Sequence, residues 1–506
     1  MKKYLVISIA LFFLTTSCSK MLDEQPQGTY PVSEFFKTGP QALLAINACY
    51  QPLSFANSNN RLWVVSDVVS DDAVKGGFPG DQADIGLIDD FQIYPDNGNL
   101  GVIWGIYYEG ISRCNMVLAH VPGINMDKAL QNRILGEAYF LRGYYYFQLA
   151  NIFGNVPLVT EPLLPKDMQV ANSTQKEVYA QVESDFIAAG SSLEQALQEN
   201  PNVYPSGEVG RATPGAAKAL LAKTYLFEKK WSDAATAAEA VASFGYSLMP
   251  IYQHDFNVNY DNNKEEIFQV QQMSGQSPFQ GNSLNQWLAP REQNGYGFDE
   301  PTQNFVNAFE MTKDSVYDPR LDYTLGREGH LWFDGLAYDS SWSSTGYNQK
   351  KTLQPISEIP ESTRADADLN FTIIRYAEVL LIKAEALCEM GKCAEALIPL
   401  NQVRKRARDN YLYDVNLPGY GKIPKGLLPD VTTTDPVALL AAIRHERRVE
   451  LGFECMRYFD VIRYGKEYAD KAFANKPNFN YDINKVFPIP QSEIATNKNI
   501  KQNFGY

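Results

Sequence analysis

The chain has 506 residues and a formal charge of −14, from 45 lysines and arginines against 59 aspartates and glutamates. That length supports roughly three domain-equivalents around a large buried core, and a hydrophobic content of 45% excludes a disordered chain. The acidic balance gives no footing for nucleic acid, and four histidines with six cysteines leave little material for a metal or thiol enzyme. Aromatic side chains are abundant, at 12%, which points toward a surface that recognises something neutral.

The first element is an address. Met1-Lys2-Lys3 is followed by an apolar run of eleven residues, Tyr4 to Leu14, where a membrane-spanning helix needs about 20. It fits a secretory signal. Ser17 then precedes Cys18, the arrangement of a bacterial lipoprotein signal, so residues 1–17 are expected to be removed and Cys18 acylated as the new N-terminus. Acyl chains anchor a protein by about 0.8 kcal/mol per buried CH₂. The other cysteines, Cys49, Cys114, Cys388, Cys393 and Cys455, are odd in number and irregular in spacing, and read as small core residues rather than a disulfide framework.

A helical pattern begins at Pro40. Residues 67–99, rich in Gly, Asp, Ser and Asn, read mostly as loop. Helices are predicted over 103–120, over 134–153 and over 174–197. In the second of these Ile134, Ala138, Leu141, Tyr145, Leu149 and Ile152 form one stripe and Gly154 marks the stop. Two later segments repeat one plan, helix–turn–helix, over 216–243 and 374–408. Ala222, Tyr225 and Ala234 in the first, and Ala384, Leu387 and Ala396 in the second, fall where a tetratricopeptide-type pair places its small, bulky and small residues. Pro399, inside the last predicted helix, is expected to kink it. Between the pairs, over 245–369, helical periodicity mostly fails and Gly, Asn, Gln, Ser, Tyr and Trp dominate; loops of such length are functional or disordered. The fold class is therefore mainly α, a tetratricopeptide-like helical-pair scaffold with long irregular loop insertions forming a ligand-binding face. Its expected regions are 18–245 and 246–506, after the signal.

Four blocks carry a family likeness. They are Glu137-Ala138-Tyr139-Phe140-Leu141-Arg142-Gly143-Tyr144-Tyr145-Tyr146-Phe147 with its exit Phe153-Gly154-Asn155-Val156-Pro157, the stretch Arg375-Tyr376-Ala377-Glu378 with Val403-Arg404-Lys405-Arg406, the late segment Glu446-Arg447-Arg448-Val449-Glu450-Leu451 to Asp460, and the ending Pro488-Ile489-Pro490 to Asn503-Phe504-Gly505-Tyr506. With these the chain resembles the SusD/RagB family of starch-utilisation-system-like, nutrient-binding outer-membrane lipoproteins. The resemblance implies a non-enzymatic, cell-surface protein that captures oligosaccharides and delivers them to a SusC-like TonB-dependent outer-membrane transporter. It also implies outer-membrane anchoring through acylated Cys18. Alternatives within the same architecture are a peptide or glycopeptide cargo, and a transporter lid that touches no ligand.

A sugar-binding face needs aromatic rings for the C–H side of a pyranose and polar partners for its hydroxyls. Two stretches supply that mixture: Lys75 to Gln82 with Tyr94 to Asn97, and Asn285 to Phe298 with Trp332 to Tyr347. From them the expected ligand-binding residues are Phe78, Asp81, Asn285, Trp287, Arg291, Tyr296, Trp332 and Trp342. Trp63, Trp104 and Trp231 read as core. The acids and arginines from Glu446 to Arg463 lie at three- and four-residue spacing, as in structural ion pairs along one helix. No cofactor is expected. Asp366-Ala367-Asp368-Leu369-Asn370 opens like a calcium loop but lacks the turn glycine and distal glutamate.

Overall fold

The computed structural model describes residues 35–54, 61–277, 279–360 and 365–506. Cys18 and the signal lie outside the described residues. Ten helices organise the body: α1 (Gly39–Tyr50), α2 (Gly98–His120), α3 (Lys128–Phe153), α4 (Gln175–Glu199), α5 (Pro214–Phe227), α6 (Trp231–Val241), α7 (Tyr376–Glu389), α8 (Cys393–Tyr413), α9 (Pro436–Glu450) and α10 (Arg457–Arg463). Four short strands tie distant loops to this body: β1 (Ala73–Gly76), β2 (Glu266–Val270), β3 (Phe298–Pro301) and β4 (Phe371–Arg375). Among the described residues no helix is long and apolar enough to cross a membrane.

Helix starts obey local chemistry. Asp127 accepts from Leu130 N at 2.8 Å to cap α3, so the helix opens at Lys128, ahead of the apolar stripe that marks it in the sequence. Asn97 accepts from Asn99 N at 3.1 Å and starts α2 at Gly98. Thr174 and Glu177 close a reciprocal box at the start of α4, with Thr174 N donating to Glu177 Oε2 at 2.7 Å and Glu177 N to Thr174 Oγ1 at 3.3 Å. α3 ends at Gly154, whose φ of +70° favours glycine.

The helices stack as successive layers. α3 is gripped by α2 and α4, α4 packs on α5, α5 on α6, α6 on α7, and α7 on α8 and α9. The two tetratricopeptide-like pairs, far apart in sequence, are thus neighbours in space. Ala222, Ala234, Ala384 and Ala396 are fully buried at the helix crossings and Leu387 fills the space beside them. α3 and α4 approach closely because Gly136 and Gly143 face α4: a Cβ on Gly136 would sit 2.6 Å from Leu193 Cγ. Gly136→Ala is therefore expected to cost about 1–3 kcal/mol through overpacking, only partly offset by a helix-propensity gain of about 1 kcal/mol. Urea unfolding measures it, and an unchanged or raised midpoint contradicts the close approach.

The long insertion does not break the stack because its two ends are tied together. β2 pairs antiparallel with β4, with Glu266 opposite Arg375 and Val270 opposite Phe371, so the chain leaves and re-enters the helical layers at one place. That pairing also corrects the predicted start of α7: residues 371–375 are strand and the helix begins at Tyr376. α8 runs unbroken through Pro399, so the expected kink reduces to the missing bond to the Glu395 carbonyl. The segment 67–99 is more regular than expected, holding β1 and a helix over Ala83–Asp89.

The charged segment from Glu446 to Arg463 is also corrected. It spans α9, a turn and α10, and most of its ion pairs are between elements rather than along one helix. Glu450 meets Arg320, Arg375 and Arg406; Arg447 joins Glu378 to Asp460; Arg457 binds Asp71; Arg463 reaches Glu385. Nearly all of these side chains are buried, so they fasten the insertion and the N-terminal half onto α7 and α9. Only Arg463–Asp460 keeps the local spacing.

Candidate functional site

The pairing of β1 with β3 brings together two loop segments more than 200 residues apart. Val74 lies opposite Glu300 and Gly76 opposite Phe298, and Gly77 N donates to Gly297 O at 2.7 Å. Gly76 has φ +68°, and a Cβ there would sit 2.5 Å from the Gly297 carbonyl oxygen, so only glycine permits the approach. As the chain leaves this pair, Phe78 and Asp81 emerge beside Arg291 and Tyr296.

These residues form one surface patch. Phe78 is exposed, and the Arg291 guanidinium lies 3.7 Å above its ring centroid while forming an ion pair with Asp81. Lys75 Nζ fixes the loop by donating to the carbonyls of Phe78 at 3.0 Å and Asp81 at 2.7 Å. Tyr296, 39% exposed, stands edge-on to Trp287 with centroids 5.5 Å apart. Trp287 itself is the floor: it is buried between Trp63 and Phe298 at 6.2 and 5.9 Å.

Over the Trp287 ring, at 4.5 Å, sits the guanidinium of Arg61. Its Nε and Nη1 are buried and have no hydrogen-bond partner among the described residues, and burial pushes its pKa below the ordinary arginine value, although arginine stays charged at any physiological pH. Arg61 is thus a half-buried cation stacked on the patch floor, with its Nε and Nη1 screened from solvent. Sequence reasoning missed Arg61: it carries no motif, and its relation to Trp287 exists only in the folded chain.

The other expected residues go elsewhere. Trp332 is buried in a second aromatic cluster with Phe333, Tyr338 and Trp342, at 5.1, 5.7 and 6.4 Å; Trp342 is half-buried in it. Asn285 is buried and its amide is engaged in both directions, donating to Gln354 O at 2.8 Å and accepting from Gln354 N at 3.0 Å. It clasps the insertion and offers no polar atom outward. Tyr94 is exposed, whereas Asn97 is the α2 cap. Five of the eight expected residues, Phe78, Asp81, Trp287, Arg291 and Tyr296, come together.

The calcium-like stretch holds backbone instead. Asp366 Oδ2 accepts from Gly275 N at 2.7 Å, and Asp368 accepts from Ser274 N at 2.7 Å and Ser274 Oγ at 3.0 Å. Among the described residues no group of three or more His, Cys, Asp or Glu side chains is placed to hold a metal ion.

Comparison with known proteins agrees along the chain. A model described as the SusD family matches residues 264–506, and one described as starch-binding, associating with the outer membrane, matches residues 42–226. The chain is 26% identical to a SusD-like protein P2 of Formosa agariphila, over 99% of each. It is similar to a solved laminarin-binding SusD-like protein, at 28% identity and TM-score 0.75, covering 93% of this chain and all of that one. A SusD-like carbohydrate-binding protein from Bacteroides fragilis matches at 25% identity and TM-score 0.76, over 92% of this chain and all of that one.

Proposed function

The chain belongs to the SusD family, and from that premise we propose that it captures glycans at the Phe78–Tyr296 patch and passes them to a TonB-dependent outer-membrane transporter. Acylated Cys18 holds it at the outer membrane, exposed at the cell surface. The observation that carries the reading is the patch itself: two open rings, Phe78 and Tyr296, with the Arg291–Asp81 ion pair stacked on the first and Trp287 packed against the second. The rings take the C–H face of a pyranose, and the part-exposed Asp81–Arg291 pair takes its hydroxyls. We read the patch as one that binds rather than cleaves; its Asp81 is held by Arg291.

The test is retardation of the detergent-extracted protein in native gels containing a panel of polysaccharides, laminarin among them. Retardation by at least one is expected. A hydrogen bond to a charged group contributes about 1.5–3 kcal/mol, so Arg291→Ala should weaken retention about tenfold or more, and Phe78→Ala with Tyr296→Ala should abolish it. No retardation by any member, with binding of peptides instead, replaces the glycan reading by a peptide cargo. No binding of either leaves a lid that touches no ligand.

A further inference from the structure

We propose a second carbohydrate-contact groove, distinct from the aromatic patch, between α1 and the loop over 207–211; it rests on the glycan reading above. The groove encloses about 680 Å³, within the range of ordinary small-ligand sites. Its walls come from the C-terminal end of α1, from β2 and from the insertion at Phe279 and Gln280. Five of the fifteen lining residues are carboxamides, Asn47, Gln51, Gln269, Gln271 and Gln280.

Two of these carboxamides are oriented by arginines. Arg211 Nη2 donates to Asn47 Oδ1 at 2.9 Å and Arg113 Nη1 donates to Gln51 Oε1 at 2.9 Å. With their oxygens held, both side chains present NH₂ groups that have no intramolecular partner among the described residues. Gln280, exposed at the rim, has neither its side-chain oxygen nor its nitrogen engaged among the described residues. The charged lining residues Arg211 and Glu208 neutralise each other. Phe279 adds one half-buried ring. Fixed amide donors, two rings (Tyr50 and Phe279) and no free charge suit a neutral, polyhydroxylated chain rather than an anion or a peptide terminus. Gly210 builds this wall: with φ +81°, it lies where a Cβ would be 2.3 Å from the Gln271 side chain.

The groove and the patch are within reach of one ligand chain. Gln280 and Trp287 are seven residues apart, so their Cα atoms are separated by about 25 Å at most. A polysaccharide lying across both would be held at two places, and short oligosaccharides at one.

The experiment uses the full chain in detergent, with laminarin or whichever panel polysaccharide retards it, and a short oligosaccharide of the same glycan. Val209→Trp narrows the groove from an exposed position and Gln280→Ala removes the exposed amide. The double variant, melting like the parent, is expected to lose at least threefold in retention by the polymer while keeping its affinity for the short oligosaccharide. Retention by the polymer equal to the parent, in an experiment where Phe78→Ala with Tyr296→Ala abolishes it, overturns the groove and leaves the patch standing. A parent retarded by no polysaccharide overturns the glycan reading and the groove with it.

Discussion

Replacing Arg375 with leucine is expected to lower the unfolding free energy by about 3–5 kcal/mol, the usual cost of removing one partner from a buried ionic network. Arg375 is fully buried at the end of β4. Its Nε donates to Glu454 Oε2 at 2.9 Å, its Nη1 to Glu265 Oε1 at 2.8 Å and Glu450 Oε1 at 2.6 Å, and its Nη2 to the Glu450 carbonyl at 2.8 Å and Glu454 Oε1 at 2.7 Å. Burial opposes ionisation of Glu450, and Arg406, Arg375 and Arg320 together outweigh it, holding its carboxyl well below the usual range. Leucine would leave Glu265 and Glu454 facing each other's charge with fewer cations between them. Lysine keeps the charge but cannot reproduce a planar fork serving several acceptors, so Arg375→Lys is expected to recover only part of the loss. Urea unfolding at neutral pH decides it; a loss below about 1 kcal/mol would show that the network contributes no more than an exposed pair.

The family and the helical layers were legible in the sequence because they rest on local signals. The stripe from Ile134 to Ile152 and the small residues Ala222, Ala234, Ala384 and Ala396 specify a helix face by themselves, and all four alanines are buried where the pattern places them. Of the residues that the loop composition singled out, Phe78, Asp81, Trp287, Arg291 and Tyr296 converge in one patch. What a sequence does not print is long-range pairing. The register of Gly76 against Phe298 is a contact between distant segments, and it decides which loops meet. Trp287 and Asn285 illustrate the same gap at side-chain level: residue type suits them to a sugar, but Trp63 and Gln354 from other segments cover them. Arg61 was missed for the converse reason, since an unmatched donor is defined by the absence of a partner in space. The ion pairs from Glu446 to Arg463 were read as local because spacing is local, whereas a guanidinium in a packed core binds whatever carboxylate the fold delivers.

Asp67→Asn is expected to stabilise the protein, and to do so only above acidic pH. Asp67 is buried against α10's N-terminal approach, with Oδ2 accepting from Cys455 N at 3.2 Å and Oδ1 without a partner. Burial, reinforced by the neighbouring carboxylate of Asp72, pushes its pKa up to about 8, against about 3.9 in an unfolded chain. Between those two values the folded state holds a proton that the unfolded state has released, so stability falls as pH rises through that window. Below about pH 4 both states are protonated and the residue is neutral to stability; above about pH 8 both are ionised and the slope from this group ends. At pH 7 the accumulated cost is of the order of 4 kcal/mol, at 1.36 kcal/mol per pH unit. Asparagine is the neutral form made permanent. Other carboxylates, such as Asp460 and Glu450, are held below their usual range by arginines and give the parent an opposite slope in acid. The informative quantity is therefore the difference between variant and parent in urea unfolding. It should be near zero at pH 4, grow steadily to pH 7 and level off above pH 8, whereas parallel curves across that range would place the proton elsewhere in the Asp67–Asp72 pair.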